Sequence, residues 1–172
     1  IVEPIAGSTG TLVPPKGYLQ KLREICDKHG ILLIFDEVIT GWGRTGSKFG
    51  AHEFGVTPDI MTMAKATTNG VVPMGVVACN DYIYDAVMDS TQTGAVELFH
   101  GYTYSGIPVA VAAALAVQDI FEKDDIFIRA KNLAPYFQKG LFSLQDLDSV
   151  DNIRGYGMMG GIDMKLNTRP GK

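Results

Sequence analysis

The sequence predicts an α/β fold in which a mostly parallel sheet is flanked by helices. Residues 17–29 place apolar side chains at helical spacing and charged side chains on the opposite face. The continuous apolar run at residues 31–35 follows at once and is typical of a strand that is covered on both faces. Because residues 1–4 also resemble the end of a buried strand, the three segments form a βαβ unit and therefore a parallel layer.

The rest of the chain continues the alternation of strands and helices. The other predicted elements are strands at residues 59–63 and 74–79, helices at residues 81–88, 105–122 and 125–144, and a strand-like segment at residues 153–164. Pro135 is expected to kink or split the last helix. The polar loop at residues 89–104 is long enough to carry function. We expect residues 1–150 to be part of a large domain and residues 151–172 to begin a small C-terminal domain.

Composition and charge exclude several classes of protein. The formal net charge of −4 and the isoelectric point near 5.3 argue against a nucleic-acid partner, which requires a clustered basic surface. No apolar run reaches the length of about 18 residues that indicates a membrane-spanning helix. The two cysteines suit a reducing compartment, and no signal peptide is visible, so we expect a cytoplasmic location. Neither terminus has the character of a natural chain end, and we expect a piece of a longer protein.

Side chains that could bind a ligand or take part in catalysis follow two predicted strands and precede one predicted helix. Asp36 and Glu37 end the first of these strands, and Lys65 follows the second. Thr103 lies in the loop before the alanine-rich helix. Ligands of open α/β sheets bind beyond the carboxyl ends of the strands. A carboxylate, an amine and a hydroxyl at this edge favour a cofactor with a basic ring, an aldehyde and a phosphate.

Four sequence blocks resemble those of the class III (ω-amino acid:pyruvate type) pyridoxal-phosphate-dependent aminotransferases. They lie, in the order found in the family, at residues 3–10, 36–46, 64–70 and 100–106. The second block is similar to the family signature, and Lys65 of the third block matches the Schiff-base lysine. The blocks extend over most of the chain. The resemblance implies part of the large domain of a fold-type I transferase.

The resemblance also implies a role for individual residues. Lys65 would hold pyridoxal 5'-phosphate as a Schiff base and, once displaced by substrate, would move a proton between the reacting carbons. Asp36 would keep the ring nitrogen protonated, and Val38 would pack against the ring face. Tyr102 and Thr103 would contact the phosphate. In the family this last loop reaches the neighbouring subunit of a homodimer.

The activity implied by the resemblance is transamination from an ω-amino acid or amine, such as β-alanine, to a keto acid such as pyruvate. Family members also use an N-terminal phosphate loop and a C-terminal arginine that residues 1–172 do not include, so we expect weak or absent activity from these residues alone. Decarboxylases, racemases and aminomutases of the same class would use Asp36 and Lys65 in the same way. They remain alternatives.

A nucleotide-dependent ATPase is an alternative from another class of protein. The apolar run followed by Asp36 and Glu37 matches a Walker B strand, in which the carboxylates hold magnesium and a water molecule. The phosphate loop that such proteins require is missing from the sequence, and Lys65 would have no role. His52 and His100 lack partners at metal-binding spacing, so no metal site is expected.

Overall fold

The computed structural model describes residues 1–91, 95–96 and 98–165. In chain order the elements are α1 (Tyr18–His29), β1 (Ile34–Asp36), α2 (Gly50–Phe54), β2 (Ile60–Met63), a 3-10 turn (Lys65–Thr67), β3 (Val76–Cys79), α3 (Asp81–Asp89), α4 (Pro108–Lys123), α5 (Ile126–Phe142), β4 (Val150–Tyr156) and β5 (Met159–Met164). Part of the predicted 89–104 loop and the last seven residues of the predicted small domain lie outside the described residues. Within the described ranges, no helix has the length and apolar character needed to cross a bilayer.

The first three strands form a mixed sheet in the order β1-β2-β3. β1 and β2 are parallel, with Asp36 opposite Thr62, and Val2 adds a parallel bridge to Phe35. β3 is antiparallel to β2. The predicted parallel arrangement is confirmed for the first two pairings. β3 differs because residues 64–75, which connect β2 to β3, contain a 3-10 turn and no α-helix of the kind that usually carries the chain over a sheet to a parallel neighbour.

The main core lies between α1, β1 and the segment around α2. Its buried apolar side chains are Leu19, Cys26, Leu33, Phe35 and Val56. Ile31 and Leu32, at the start of the predicted strand, are exposed. β1 begins only at Ile34, because the N–H of Leu33 is bonded to the carboxylate of Asp59 at 2.6 Å and not to a neighbouring strand. Gly30 is the C-cap of α1: it has φ 63°, and its N–H bonds to carbonyls of the last helical turn.

Asp59 links α1, α3 and Leu33, the residue before β1, through its two carboxylate oxygens. Oδ2 accepts the N–H of Leu33 and lies 2.8 Å from Nη1 of Arg23, whereas Oδ1 accepts the hydroxyl of Tyr82 at 2.6 Å. Burial opposes ionisation of this carboxyl group. The hydrogen bonds and the guanidinium charge outweigh burial, so the pKa of Asp59 lies below its usual value.

Pro135 lies inside α5, and the helix is continuous from Ile126 to Phe142. Of the two expected effects of this proline, a kink or a split, the split does not occur, and the kink stays a prediction. Proline removes one backbone N–H, which costs a single helical bond, to the carbonyl of Lys131. The fixed φ of proline is compatible with the helix, and the turns on both sides keep their own hydrogen bonds.

β4 and β5 form an antiparallel hairpin, where the sequence predicted one strand-like segment. Gly157, with φ 58°, lies in the connecting turn. Nε2 of Gln138 in α5 donates to the carbonyl of Gly157 at 2.8 Å, and Nε of Arg154 in β4 donates to the carbonyl of Gly10 at 2.7 Å. The hairpin therefore packs on residues that precede position 150. A domain boundary at that position remains a prediction.

A second contact of the hairpin joins Tyr156 to α2. The hydroxyl of Tyr156 donates to Oε1 of Glu53 at 2.6 Å. Burial, together with the neighbouring carboxylate, raises the pKa of Tyr156 to about 12. The tyrosine consequently stays a protonated donor throughout the physiological pH range.

We predict that the Asp59 junction makes the fold sensitive to acid. The stability that Asp59 contributes is fully present above the unfolded-state pKa of about 3.9 and is lost as the pH falls through the lower folded-state pKa. Asp59→Asn should lower the free energy of unfolding by about 2 kcal/mol at pH 7, because Arg23 loses the less exposed of its two carboxylate partners, Asp59 and Asp27. The same variant should lose less further stability than the wild type between pH 5 and pH 2.

Urea unfolding at a series of pH values measures both effects. Asp146→Asn, at an exposed position after α5, is the matched control and should unfold like the wild type. An Asp59→Asn profile parallel to that of the wild type would contradict the assignment.

Candidate active site

The structure brings Asp36 and Lys65 to the same edge of the sheet. β1 ends at Asp36 and β2 ends at Met63, and the two strands are parallel. Asp36 lies opposite Thr62 of the adjacent strand, and Lys65 comes two residues after the end of that strand. Two of the predicted groups, 29 positions apart in the sequence, therefore come from neighbouring strand ends.

One oxygen of the Asp36 carboxylate is held by the backbone. Oδ1 accepts the N–H of Val38 at 3.0 Å, which orients the half-buried side chain. Among the described residues, no protein donor is hydrogen-bonded to Oδ2. A turn of this kind is typical of an aspartate after a strand, yet it leaves one oxygen for a cationic partner. Val38 is itself half-buried beside the carboxylate.

The backbone of Lys65 has a left-handed conformation, with φ 48°. Such a conformation costs a non-glycine residue about 1–2 kcal/mol and is found at functional sites, where the surrounding structure maintains it. Lys65 begins the 3-10 turn and is exposed, whereas the next residues, Ala66 and Thr67, are buried. Ala66 packs with Val117 and Phe121 of α4. The amine is thus carried by a turn that is anchored in a small core.

The glycine-rich loop after β1, residues 40–46, packs against that turn. Nε1 of Trp42 donates to Oγ1 of Thr67 at 3.1 Å, and the indole ring lies 4.9 Å from the ring of Phe49. Arg44 donates from Nη1 to the carbonyls of Ile39 and Gly41, and burial lowers the pKa of its guanidinium group. Trp42 and Arg44 therefore shape the glycine loop.

Glu37, directly after Asp36, is completely buried and holds the start of α2. Its carboxylate accepts hydrogen bonds from the hydroxyl of Thr40 at 2.5 Å, the N–H of Gly50 at 2.8 Å and the N–H of Ala51 at 2.7 Å. A carboxylate at a helix N-terminus satisfies donors that have no partner within the helix. Glu37 is therefore a structural residue, and its side chain is not available to hold a catalytic water molecule.

Tyr102 and Thr103 lie on an exposed loop. The N–H of Tyr102 donates to Nδ1 of His100 at 2.9 Å, and the two rings are 4.5 Å apart. Tyr102 and Tyr104 both have left-handed backbones, with φ 48° and 65°. No hydrogen bond, ion pair or ring contact among the described residues joins Tyr102 or Thr103 to Asp36 or Lys65. Within one chain, the structure therefore does not connect this loop to the other candidate residues.

The residues present fit pyridoxal 5'-phosphate. An exposed primary amine suits a carbonyl group, and the free oxygen of Asp36 suits a protonated ring nitrogen. Val38 offers an apolar contact for a ring face. Sequence reasoning missed Thr67, whose hydroxyl contacts the glycine loop from a position 25 residues away. No periodicity or motif marks such a contact.

The class-III aminotransferase family matches this chain over residues 1–170, and the chain therefore belongs to that family. An omega-aminotransferase of Caulobacter vibrioides is 56% identical over 171 residues, which are 99% of this chain and 38% of that protein. A beta-alanine–pyruvate aminotransferase of Pseudomonas aeruginosa is 56% identical over 165 residues, which are 95% of this chain and 37% of that protein.

Solved structures agree with the family assignment. The (S)-enantioselective omega-transaminase from Thermomicrobium roseum matches with a TM-score of 0.88 and 41% identity, over 95% of this chain and 36% of that one. The fold is thus part of a fold-type I transferase, as predicted. The chain spans well under half of the length of these relatives. The Walker B alternative is wrong, because the chain belongs to a different family and Glu37 is committed to α2.

Proposed function

We propose that the protein containing this chain transfers an amino group from an ω-amino acid or amine, such as β-alanine, to a keto acid such as pyruvate. The observation that carries this proposal is the parallel pairing that sets Asp36 beside the strand leading to Lys65. The names of the two relatives with 56% identity support the reaction, and one of them specifies β-alanine and pyruvate.

The roles of the side chains follow from their positions. Bound pyridoxal 5'-phosphate supplies an aromatic ring that accepts electron density from the amino carbon of the substrate. Oδ2 of Asp36 would hold a proton on the ring nitrogen and so maintain that capacity. Nζ of Lys65 would hold the cofactor covalently and, once displaced by substrate, would move a proton between the reacting carbons. Val38 would offer an apolar contact to the ring face.

The names of the similar proteins support transamination over decarboxylation, racemisation and amino-group migration. All of these reactions would use Asp36 and Lys65, since they share the electron-accepting ring. The similar proteins described above are an omega-aminotransferase, a beta-alanine–pyruvate aminotransferase and an omega-transaminase. The choice between reactions depends on which substrate bond lies perpendicular to the ring.

We also propose a homodimer in which the loop carrying Tyr102 and Thr103 contacts the cofactor phosphate of the partner. The exposure of both residues, and the lack of a described contact from this loop to Asp36 or Lys65, support an action across subunits. A cytoplasmic location completes the proposal. It is supported by Cys26 and Cys79, which are both free thiols.

Lys65→Ala should fold normally and lose covalent attachment of the cofactor. The exposed side chain contributes little to the core, while its amine is the proposed point of attachment. Borohydride treatment of the cofactor-loaded protein, followed by peptide mapping, should place the label on Lys65 in the wild type. No label should appear in the variant.

Lys21→Ala is the matched control for this experiment. Lys21 is also exposed, and it is paired with Glu24 on α1, away from the strand ends. The control should be labelled at Lys65 like the wild type. Equal labelling of the Lys65→Ala protein would show that the mechanism is wrong.

Asp36→Asn should retain the cofactor and lose turnover by orders of magnitude. The amide keeps the shape of the side chain and its contact with the N–H of Val38, but it carries no charge to hold the ring nitrogen protonated. Cofactor content by absorbance, together with kcat for β-alanine and pyruvate, separates the two effects. Near-normal kcat would remove Asp36 from the mechanism.

Thr103→Val should weaken binding of pyridoxal 5'-phosphate by about tenfold, the scale of one hydrogen bond to a charged group. Binding of pyridoxal, which has no phosphate, should be unchanged. Mixing Lys65→Ala subunits with Thr103→Val subunits then tests the crossing of the loop. A mixed dimer should regain one site of normal affinity if the loop acts across the interface. Dimers without such a site would indicate action within one subunit.

A further inference from the structure

The turn that carries Lys65 is tied to the glycine loop by one side-chain bridge. Nε1 of Trp42 donates to Oγ1 of Thr67 at 3.1 Å, and the same hydroxyl donates to the carbonyl of Ala64 at 3.0 Å. The backbone N–H of Thr67 also donates to this carbonyl at 3.0 Å. The hydroxyl of Thr67 therefore acts once as an acceptor and once as a donor, and Lys65 lies inside the closed loop of bonds.

This bridge encloses Lys65, which has a strained backbone. Lys65 has φ 48°, in the left-handed region that favours glycine. A conformation of this kind persists only where surrounding contacts determine it. Two hydrogen bonds converge on the carbonyl immediately before Lys65, and both come from Thr67. These two bonds therefore set the direction in which the side chain of Lys65 leaves the backbone.

Trp42 is itself held firmly. Its ring contacts those of Phe49 and Phe121, with centroid distances of 4.9 Å and 6.0 Å. Phe121 belongs to the same small core as Ala66, the residue after Lys65. The donor and acceptor of the bridge are thus anchored through α4 as well as through each other. A rigid donor loses little freedom when it bonds, which makes the bond effective.

We propose that Trp42 and Thr67 are positioning residues, which hold Lys65 in its left-handed conformation so that the amine is presented to the cofactor aldehyde. This inference rests on the proposed function, because it assumes that Lys65 captures pyridoxal 5'-phosphate. In the capture step the lysine nitrogen forms a double bond to the aldehyde carbon. The carbonyl oxygen leaves as water with the two amine protons. The bridge acts on the approach of the nitrogen and exchanges no proton with the cofactor.

The test uses the full protein in its cofactor-free form and pyridoxal 5'-phosphate as the probe. Thr67→Val removes the hydroxyl and keeps the shape, whereas Trp42→Phe removes the indole N–H and keeps an aromatic ring. Trp42→Phe should slow capture of the cofactor on Lys65 about tenfold, the scale of one hydrogen bond in a partly buried site, and Thr67→Val should slow it at least as much, because it also removes the bond to the carbonyl of Ala64. The double variant should be no slower than Thr67→Val alone, because the bond from Trp42 is already absent in that variant.

Two further variants separate positioning from a general loss of structure. Thr67→Ser retains a hydroxyl at this position and should capture the cofactor within about twofold of the wild-type rate. Ser143→Ala removes a hydroxyl that bonds to the carbonyl of Gly140 at the end of α5, and it should capture at the wild-type rate. In the loaded protein, kcat of Thr67→Val should fall while KM for the amino donor stays constant, since Thr67 is buried and its hydroxyl bonds to Trp42 and to the carbonyl of Ala64.

The outcomes separate failure of the inference from failure of the proposed function. Wild-type capture rates in Thr67→Val and Trp42→Phe, with no capture in Lys65→Ala, would overturn the positioning role and leave the proposed function intact. Capture by Lys65→Ala at the wild-type rate would overturn both. Circular dichroism checks folding, and Trp42→Phe decides the matter if Thr67→Val does not fold. If the double variant slows capture by the combined effect of both single variants, the proposal that the two residues act through one bridge would also be overturned.

Discussion

The site depends on the hydrogen bonds that the completely buried carboxylate of Glu37 accepts. Burial of a charge is expensive unless its oxygens are satisfied, and here one hydroxyl and two backbone N–H groups satisfy them. The backbone N–H of Glu37 also donates to the carbonyl of Thr62 at 2.9 Å. One residue therefore ties the end of β1 to β2 and to the start of α2. Asp36, the residue before Glu37, is therefore held in a fixed position at the edge of the sheet.

Local patterns predicted the parts of the fold that local chemistry determines. The first helix begins within one residue of its predicted start, and its glycine cap was recognisable because a left-handed residue after a helix favours glycine. The direction of β3 was not predictable, since an apolar run does not distinguish parallel from antiparallel pairing. The hairpin at residues 150–164 was taken as one segment. Its turn at Gly157 and Met158 lacks the flanking alternation that marks a hairpin.

The candidate site divides in a similar way. Asp36 and Lys65 were recognisable because each follows an apolar strand, and parallel pairing brings such strand ends together. Glu37 had the same sequence signal as Asp36, and only the packing of α2 separates their roles. The bond between Trp42 and Thr67 depends on how a loop folds back over 25 residues, which no local pattern encodes. Thr103 remains a prediction, because it lies on an exposed loop.

The hairpin turn approaches the glycine loop so closely that it restricts what can be engineered there. The N–H of Met158 donates to the carbonyl of Arg44 at 2.8 Å, and a Cβ added at Gly157 would lie 2.5 Å from that oxygen. Backbone atoms cannot swing aside as a side chain can. Position 157 is thus closed to diversification in any library built on this scaffold, although it lies far along the chain from Asp36 and Lys65.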